Sequence, residues 1–494
     1  MKYFPEDLRD FPIYCVGIKG TGMTALAELL LHRGAQISGS DTPDIFYTDQ
    51  ILKELGIPVF EGFSADNLPP EASLVIYSAA YDPANHPELL RAKELGIPCI
   101  GYTQALGDFS SLGDSSAVAG VHGKTTTAGM VGSIIKGLGL DGSVLVGSGV
   151  SSFGGRSTWA GGEGFFVAET CEYRRHFLHF SPRRILLTSA ELDHPDYFRD
   201  LEDLYQAFLE FIQRLPEGGQ LIYCTDDPGA LEIARRAAEL RHDIASIPYG
   251  FTAEGPFRIT DHEVSQGFQR FNLSGMPLSA SRGQGPRHYS IRIPGKHSVL
   301  NAAGALALIF GIYADLYGNL SPDLLSSAAV ALSTFGGTTR RSEVIGEAQG
   351  ILVLDDYGHH PSAIRSTLQG FKEFYPGRRL VVSFMPHTYS RTAALFQEFA
   401  RCFESADRLI LHDVYASARE TPLQDYSGRA LFEAVQNHHP DVIYLPRIEE
   451  AFLPVRSMLT PGDVLVTMGA GDNWKLGRRI YDSLVSDGTK NGRG

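Results

Sequence analysis

A short glycine loop between an apolar strand and a helix constrains this chain more than any other feature. Residues 117–119 are small and apolar and run into Gly120, and Gly123, Lys124 and Thr125 follow after two residues. Glycines let the backbone turn tightly and aim several N–H groups at one point, where a helix N-terminus adds partial positive charge. The segment therefore predicts a cradle for phosphate groups.

The residue types of this loop indicate a nucleoside triphosphate with magnesium. Lys124 can neutralise terminal phosphates, and the Thr125 hydroxyl can hold Mg²⁺. The full P-loop pattern would need glycine at position 118, where the chain has Val118, so a plain strand–turn–helix connection is the alternative. The predicted cofactor-binding residues of the cradle are Gly120, His122, Gly123, Lys124, Thr125 and Thr126.

Composition indicates an ordinary globular protein of about three domains. The chain has 494 residues and a formal net charge of −14, which argues against a broad nucleic-acid or anionic-membrane surface. No apolar run approaches the length of a membrane span, and the N-terminus lacks the pattern of a signal peptide. The five cysteines are scattered and form no Cys-x-x-Cys pair, which favours reduced thiols in the cytoplasm.

Strand and helix patterns alternate along the chain and predict an α/β fold with parallel sheets. We expect three domains: a Rossmann-like N-terminal domain at 1–112, a P-loop-type mononucleotide-binding central domain at 113–333, and a Rossmann-like C-terminal domain at 334–494. Residues 256–293 have the turns expected of antiparallel hairpins. Residues 392–403 have helical spacing.

A second glycine loop lies in the first domain. Gly17, Gly20 and Gly22 stand between a predicted strand and helix, and Asp41 ends the next strand about twenty residues on, as in a dinucleotide fold. The loop predicts a phosphorylated ligand. A nicotinamide-dependent dehydrogenase is one alternative function for a domain with this pattern. The other alternative is a tight turn that needs glycine for its backbone conformation alone.

Polar residues follow two strands of the central domain. The strand at 164–168 ends at Glu169, and the next strand leads into Glu191, Asp193 and His194. In parallel sheets ligands gather at the carboxyl ends of strands, so Glu169 and His194 are expected at the mouth that holds the cradle. Mg²⁺ prefers oxygen ligands, which makes an imidazole ligand unusual. Ordinary polarity at strand ends is the alternative, above all for Glu191 and Asp193.

Three polar clusters follow three strands of the last domain, at 355–361, 385–391 and 469–472. Clusters at three strand ends predict a binding face. The adjacent His359 and His360 could suggest zinc, but no cysteine partner or regular histidine spacing supports it.

Together these segments resemble the Mur ligases over nearly the whole chain. The resemblance rests on the motifs Gly17–Met23, Ser38–Asp41, Gly120–Thr127, Asp355–Pro361, Pro386–Arg391 and Gly469–Asp472. It implies that ATP, with Mg²⁺, phosphorylates the lactyl carboxylate of UDP-N-acetylmuramate, and that the amine of L-alanine attacks the acyl phosphate. It also implies a role in peptidoglycan precursor synthesis, as a monomer or homodimer.

The resemblance implies roles for particular residues. The sugar nucleotide would be held by Gly17, Gly20, Thr21, Gly22, Met23, Ser40 and Asp41. ATP would meet the cradle and also His297, Asn301, Arg340 and Asp356. Magnesium would be held by Thr125, Glu169 and His194, and alanine by Tyr357, His359 and Arg391. The implied catalytic residues are Lys124, Glu169, His194 and His359.

The chain departs from the family pattern at three positions. Ser298 follows His297 where asparagine is common, and Thr388 stands where many members have arginine. Lys19 replaces a usual glycine, and either adds a phosphate contact or is solvated.

Three other functions stay open at this point. One is a related ligase that attaches a preformed peptide, although the cluster at 386–391 favours a single amino acid. The dehydrogenase is disfavoured by Lys124, because hydride transfer needs no phosphate-neutralising lysine. A nucleotide-dependent binding protein without chemistry would not need the polar face of the third domain.

Overall fold

The computed structural model describes residues 3–276, 278, 288–416 and 423–491. The first domain is a parallel sheet of order β3-β2-β1-β4-β5 with helices between the strands. The strands are β1 Pro12–Val16, β2 Gln36–Asp41, β3 Val59–Glu61, β4 Leu74–Tyr77 and β5 Cys99–Gly101. The helices are α1 Thr21–His32, α2 Thr48–Glu54, α3 Pro87–Glu94 and α4 Tyr102–Ser110. The order reverses beside β1, the place where ligands bind in doubly wound sheets.

The central domain is built on a larger sheet of order β15-β14-β13-β12-β11-β10-β6-β9-β7-β8. Its strands are β6 Asp114–Ala119, β7 Gly142–Leu145, β8 Thr158–Ala160, β9 Phe165–Glu169, β10 Arg184–Leu187, β11 Gln220–Cys224, β12 Ala245–Gly250, β13 Phe257–Ser265, β14 Phe268–Leu273 and β15 Tyr289–Ile291. Its helices are α5 Lys124–Leu138, α6 Leu201–Ile212, α7 Pro228–Leu240, α8 Lys296–Tyr317 and α9 Pro322–Ser333. The expected antiparallel hairpins are present as β13–β15, and residues 277 and 279–287 of that span lie outside the described residues.

The third domain is a sheet of order β16-β17-β21-β18-β19-β20, parallel except for its antiparallel edge strand β16. Its strands are β16 Glu343–Ala348, β17 Ile351–Asp356, β18 Arg379–Phe384, β19 Arg408–Leu411, β20 Val442–Tyr444 and β21 Asp463–Met468. Its helices are α10 Pro361–Phe374, α11 Tyr389–Ala394, α12 Phe396–Phe399, α13 Gly428–Val435, α14 Ile448–Met458 and α15 Trp474–Asn491. The expected helix over 392–403 is instead α11 and α12, because Leu395 leaves the helical region with φ −118° and ψ 26°.

The apolar cores show which domains are packed tightly together. One continuous cluster runs from the first domain into the central one, where the Phe109 and Phe166 rings lie 5.0 Å apart. The third domain has its own cores on both faces of its sheet. Its contacts with the central domain include polar pairs from Glu191 and Asp193, so this interface is the more separable of the two.

Helix α8 is the one element in the described ranges that is long and apolar enough to cross a membrane. An apolar stretch of 18 residues within α8 is 67% buried inside the protein, where α8 packs beside α5. Burial of this kind is typical of a central core helix.

Candidate active site

The glycine loop predicted to bind phosphate lies between β6 and the N-terminus of α5. Gly120 and Gly123 have φ of 133° and 82°, which favour glycine. A Cβ on Gly123 would lie 2.5 Å from Asn301 Oδ1, so the loop also needs glycine for space. Thr188 donates a hydrogen bond to the His122 carbonyl. The loop is thus held open as a cradle that a side chain would fill.

Lys124 is paired with a carboxylate that the sequence reasoning did not single out. Its Nζ lies 2.9 Å from Glu172 Oε2 and also donates to the Gly120 carbonyl. Burial disfavours the charged lysine, but the charge of Glu172 outweighs it and raises the pKa of Lys124. The only sequence signal for Glu172 was its place three residues after Glu169.

The predicted magnesium ligands come together in part. Thr125 Oγ1 donates to Glu169 Oε1 at 2.9 Å, and the Gly147 N–H donates to Glu169 Oε2 at 2.7 Å. His194 Nε2 lies 3.7 Å from Glu172 Oε1, so Glu172 links His194 to the cradle lysine. A hydroxyl and a carboxylate at the mouth of the cradle are oxygen donors that fit Mg²⁺.

A cavity of about 290 Å³ lies beside the cradle, between the central and third domains. Six of the predicted nucleotide residues line it: His122, Gly123, Thr126, His297, Asn301 and Asp356. His297 is half-buried, desolvation lowers its pKa, and its buried Nδ1 has no hydrogen-bond partner among the described residues. An orphaned buried nitrogen and an open glycine cradle on one cavity fit a bound nucleotide.

Other predicted nucleotide contacts are placed differently. The Arg340 guanidinium donates to Asp355 Oδ2 at 2.9 Å and to the Gly469 carbonyl, and it does not line the cavity, whereas the neighbouring Arg341 does. Ser298 donates to the Pro294 carbonyl. Sequence reasoning missed Arg341, and also Asp226 and Asp227 on the same wall. Asp226 and Asp227 follow β11, a strand that was not predicted.

Glu191 joins the cradle to the third domain. It contacts His122 Nε2, accepts a hydrogen bond from Ser362 Oγ, and lies 3.5 Å from His360 Nδ1. Burial would raise the pKa of Glu191, but His122, with His360 and Ser362, lowers it to about 2. One donor atom from each of His122, Glu191 and His360 lies within 4.8 Å of the others. His359, the neighbour that suggested zinc with His360, is not part of this cluster.

The glycine loop of the first domain is rigidly held. Gly17 has φ 81°, and Asp41 accepts hydrogen bonds from the backbone N–H of Lys19 at 2.7 Å and of Thr42 at 2.8 Å. The Lys19 ammonium is buried and pairs with Asp49 Oδ1 at 3.0 Å, so it is not solvated. Asp41 therefore shapes the loop.

The other predicted residues of this site have distinct environments. Ser40 is buried and donates to Glu88 Oε2, and Met23 is also buried. Thr21 Oγ1 accepts from Tyr47 at 3.0 Å. Gly20 and Gly22 stand where the loop meets α1.

A second cavity, of about 180 Å³, is lined by Gly22 of this loop and by Gly147 and Glu169. Glu169 accepts the hydrogen bond from Thr125 of the cradle. Cys171 and Phe177 complete part of its wall. The loop predicted for the sugar nucleotide and a predicted magnesium ligand thus share one cavity.

The predicted amino-acid residues cluster at the carboxyl end of the third sheet. The Tyr357 and His359 rings lie 5.1 Å apart, and His359 Nδ1 is 2.9 Å from the Tyr357 carbonyl. Burial, with the nearby Arg391, lowers the pKa of His359 well below its usual value. The Arg391 guanidinium is buried against Asp193 of the central domain, with Nη2–Oδ1 at 2.9 Å. Thr388 precedes α11 with φ 66°, a strained conformation for a β-branched residue.

Three α/β domains, a glycine cradle at a helix N-terminus and a polar cleft that faces it fit the architecture of a nucleotide-dependent ligase. Family models match all three parts: "Mur ligase family, catalytic domain" at 12–113, "Mur ligase middle domain" at 118–309 and "Mur ligase, glutamate ligase domain" at 340–471. The chain belongs to the Mur ligase family. The expected fold of three α/β domains is confirmed.

Curated relatives resemble the whole chain. It is 48% identical to a UDP-N-acetylmuramate–L-alanine ligase of Treponema pallidum (strain Nichols), covering 97% of this chain and 98% of the relative. It is 41% identical to the enzyme of that name from Desulfitobacterium hafniense (strain Y51), covering 95% and 99%. The crystal structure of a UDP-N-acetylmuramate–alanine ligase from Thermotoga maritima matches with a TM-score of 0.73 and 25% identity, covering 96% and 99%.

Proposed function

We propose that the protein is an ATP-dependent ligase that joins L-alanine to the lactyl carboxylate of UDP-N-acetylmuramate. One observation carries the proposal: one cavity is lined by residues of the cradle, and a second, beside the first domain, is lined by a carboxylate that is hydrogen-bonded to the cradle. The first is lined by Gly123 and Thr126, and the second by Glu169, whose carboxylate holds Thr125. A nucleotide in one and a carboxylate substrate in the other would meet at the cradle. The full-length relatives of that name support the choice of substrates.

The chemistry explains why such a meeting point is needed. A carboxylate is a poor electrophile until one of its oxygens becomes part of a leaving group. The lactyl carboxylate attacks the γ-phosphorus of ATP, which releases ADP and leaves an acyl phosphate. The alanine amine then attacks the carbonyl carbon, the C–O bond to phosphate breaks, and an amide forms.

The charges at the cradle suit the first step. Two anions must approach one another, so cations and N–H donors lower the barrier. Lys124 supplies a positive charge, and the N-terminus of α5 supplies backbone donors. Thr125 and Glu169, with His194 nearby, would hold Mg²⁺, which supplies further charge neutralisation.

The third domain suits the second step. His359 is the residue proposed to accept a proton from the incoming ammonium, and its lowered pKa means that the imidazole enters this step in its neutral form. Arg391 would pair with the amino-acid carboxylate, and Tyr357 would line the pocket. We further propose that the enzyme acts in the cytoplasm, as a monomer or homodimer, with domains at 1–112, 113–333 and 334–494.

Oxygen transfer tests the proposed route. UDP-N-acetylmuramate with ¹⁸O in its lactyl carboxylate is incubated with ATP, L-alanine and the enzyme. The acyl phosphate route moves one ¹⁸O into inorganic phosphate, which mass spectrometry detects. Unlabelled phosphate together with labelled amide product would contradict it.

A further inference from the structure

Asp193 and Arg391 form a buried ion pair between two domains. Asp193 lies in the loop after β10 of the central domain, and Arg391 lies in α11 of the third. Arg391 Nε and Nη2 are 3.0 Å and 2.9 Å from Asp193 Oδ1. The two side chains are only 7% and 5% exposed, so water screens the pair poorly.

The Asp193 carboxylate is fixed from its own backbone as well. The His194 N–H donates to Oδ1 at 2.7 Å. The other oxygen, Oδ2, lies 3.9 Å from His194 Nε2 and 3.9 Å from His359 Nε2. Asp193 thus lies at the junction of the predicted metal and amino-acid residues.

We propose that Asp193 is a positioning residue for the amino-acid substrate, acting through Arg391. This rests on the proposed function, in which Arg391 receives the carboxylate of L-alanine. A guanidinium carries five N–H donors in a rigid planar fork. Asp193 engages two of them, and so sets the plane of the fork and the direction of the others.

The position of the pair on two domains gives it a second consequence. Asp193 and Arg391 meet across the interface between the central and third domains, so the orientation of the guanidinium depends on how these two domains are placed relative to one another.

The variant Asp193→Asn tests the proposal, because it keeps the shape and removes the charge. We expect the KM for L-alanine to rise about tenfold or more, since Arg391 loses its fixed orientation. The Kd values for UDP-N-acetylmuramate and for a non-hydrolysable ATP analogue, measured by calorimetry, should stay within about twofold of the parent. Asp193→Glu should not restore the parental KM, because the longer side chain moves the fork.

Asp315→Asn is the matched control. Asp315 Oδ2 pairs with Arg184 Nη2 at 2.5 Å, and Arg184 is fully buried, but this pair lies within the central domain. The Asp315→Asn variant should lower Tm without changing the KM for L-alanine.

Two results would overturn the inference while leaving the proposed function intact. One is an unchanged or lower alanine KM in Asp193→Asn, and the other is an equal rise in KM for all three substrates. A parent enzyme that does not ligate alanine at all would instead overturn the proposed function.

Discussion

Lys124 Nζ lies 2.9 Å from Glu172 Oε2, and both side chains are largely buried, at 14% and 3% exposure. The cation predicted to neutralise phosphate is therefore held by a carboxylate that also lies beside His194. Glu172 raises the pKa of Lys124 and, with the Gly120 carbonyl, holds its ammonium in place. Removing either partner leaves the other as an uncompensated buried charge, which is strongly destabilising.

Lys124→Ala should nearly abolish turnover, because a phosphate-neutralising group contributes orders of magnitude in rate. It should also lower Tm, because Glu172 loses its partner. The double variant Lys124→Ala with Glu172→Gln should recover much of the Tm and none of the turnover. ADP release and thermal unfolding measure the two effects. Activity within about threefold of the parent would contradict the assignment of Lys124.

Gly123→Ala should abolish binding of an ATP analogue. A Cβ there would lie 2.5 Å from Asn301 Oδ1, and φ of 82° is strained for alanine. Gly139→Ala is the control, because Gly139 also has a positive φ, of 61°, but a Cβ placed there would meet open space. The control should cost about 1 kcal/mol of stability from strain alone and leave the nucleotide Kd unchanged. Equal nucleotide binding by both variants would contradict a cradle at Gly123.

His412 should make the protein less stable in mild acid. It is buried in the third domain, with Nε2 2.7 Å from Ser383 Oγ, and burial lowers its pKa from 6.5 to about 4. The unfolded chain therefore binds the additional proton between these values, and stability falls as pH falls through that window. Over the whole of this pH window, protonation linked to His412 lowers the free energy of unfolding by about 3 kcal/mol.

The slope of unfolding free energy against pH between 7 and 5, from urea titrations, checks this. His412→Asn should flatten the slope relative to the parent, and the exposed His438→Asn should leave it unchanged. Equal slopes in the parent and His412→Asn would contradict the assignment.

The sequence predicted those parts of the site that depend on local structure. Gly120, Gly123 and Thr125 lie in one loop because a strand, a glycine turn and a helix N-terminus follow one another directly along the chain. Glu169 follows because a parallel strand presents the residue at its carboxyl end. The three-domain α/β fold follows from the same alternation of strands and helices.

Long-range pairing could not be predicted in this way. Glu172 meets Lys124 across 48 residues, and Asp193 meets Arg391 across 198. Arg340 and Arg341 are adjacent, and only the packing against Asp355 decides which of them lines the cavity. Such choices depend on how two domains meet, which no local pattern contains.

ADP release with UDP-N-acetylmuramate and one amine at a time tests directly whether the protein is an L-alanine ligase. The amines are L-alanine, glycine, L-serine and a tripeptide. We expect the highest kcat/KM for L-alanine, lower values for glycine and serine, and no release above background with the tripeptide. Release with the tripeptide that exceeds release with L-alanine would contradict it.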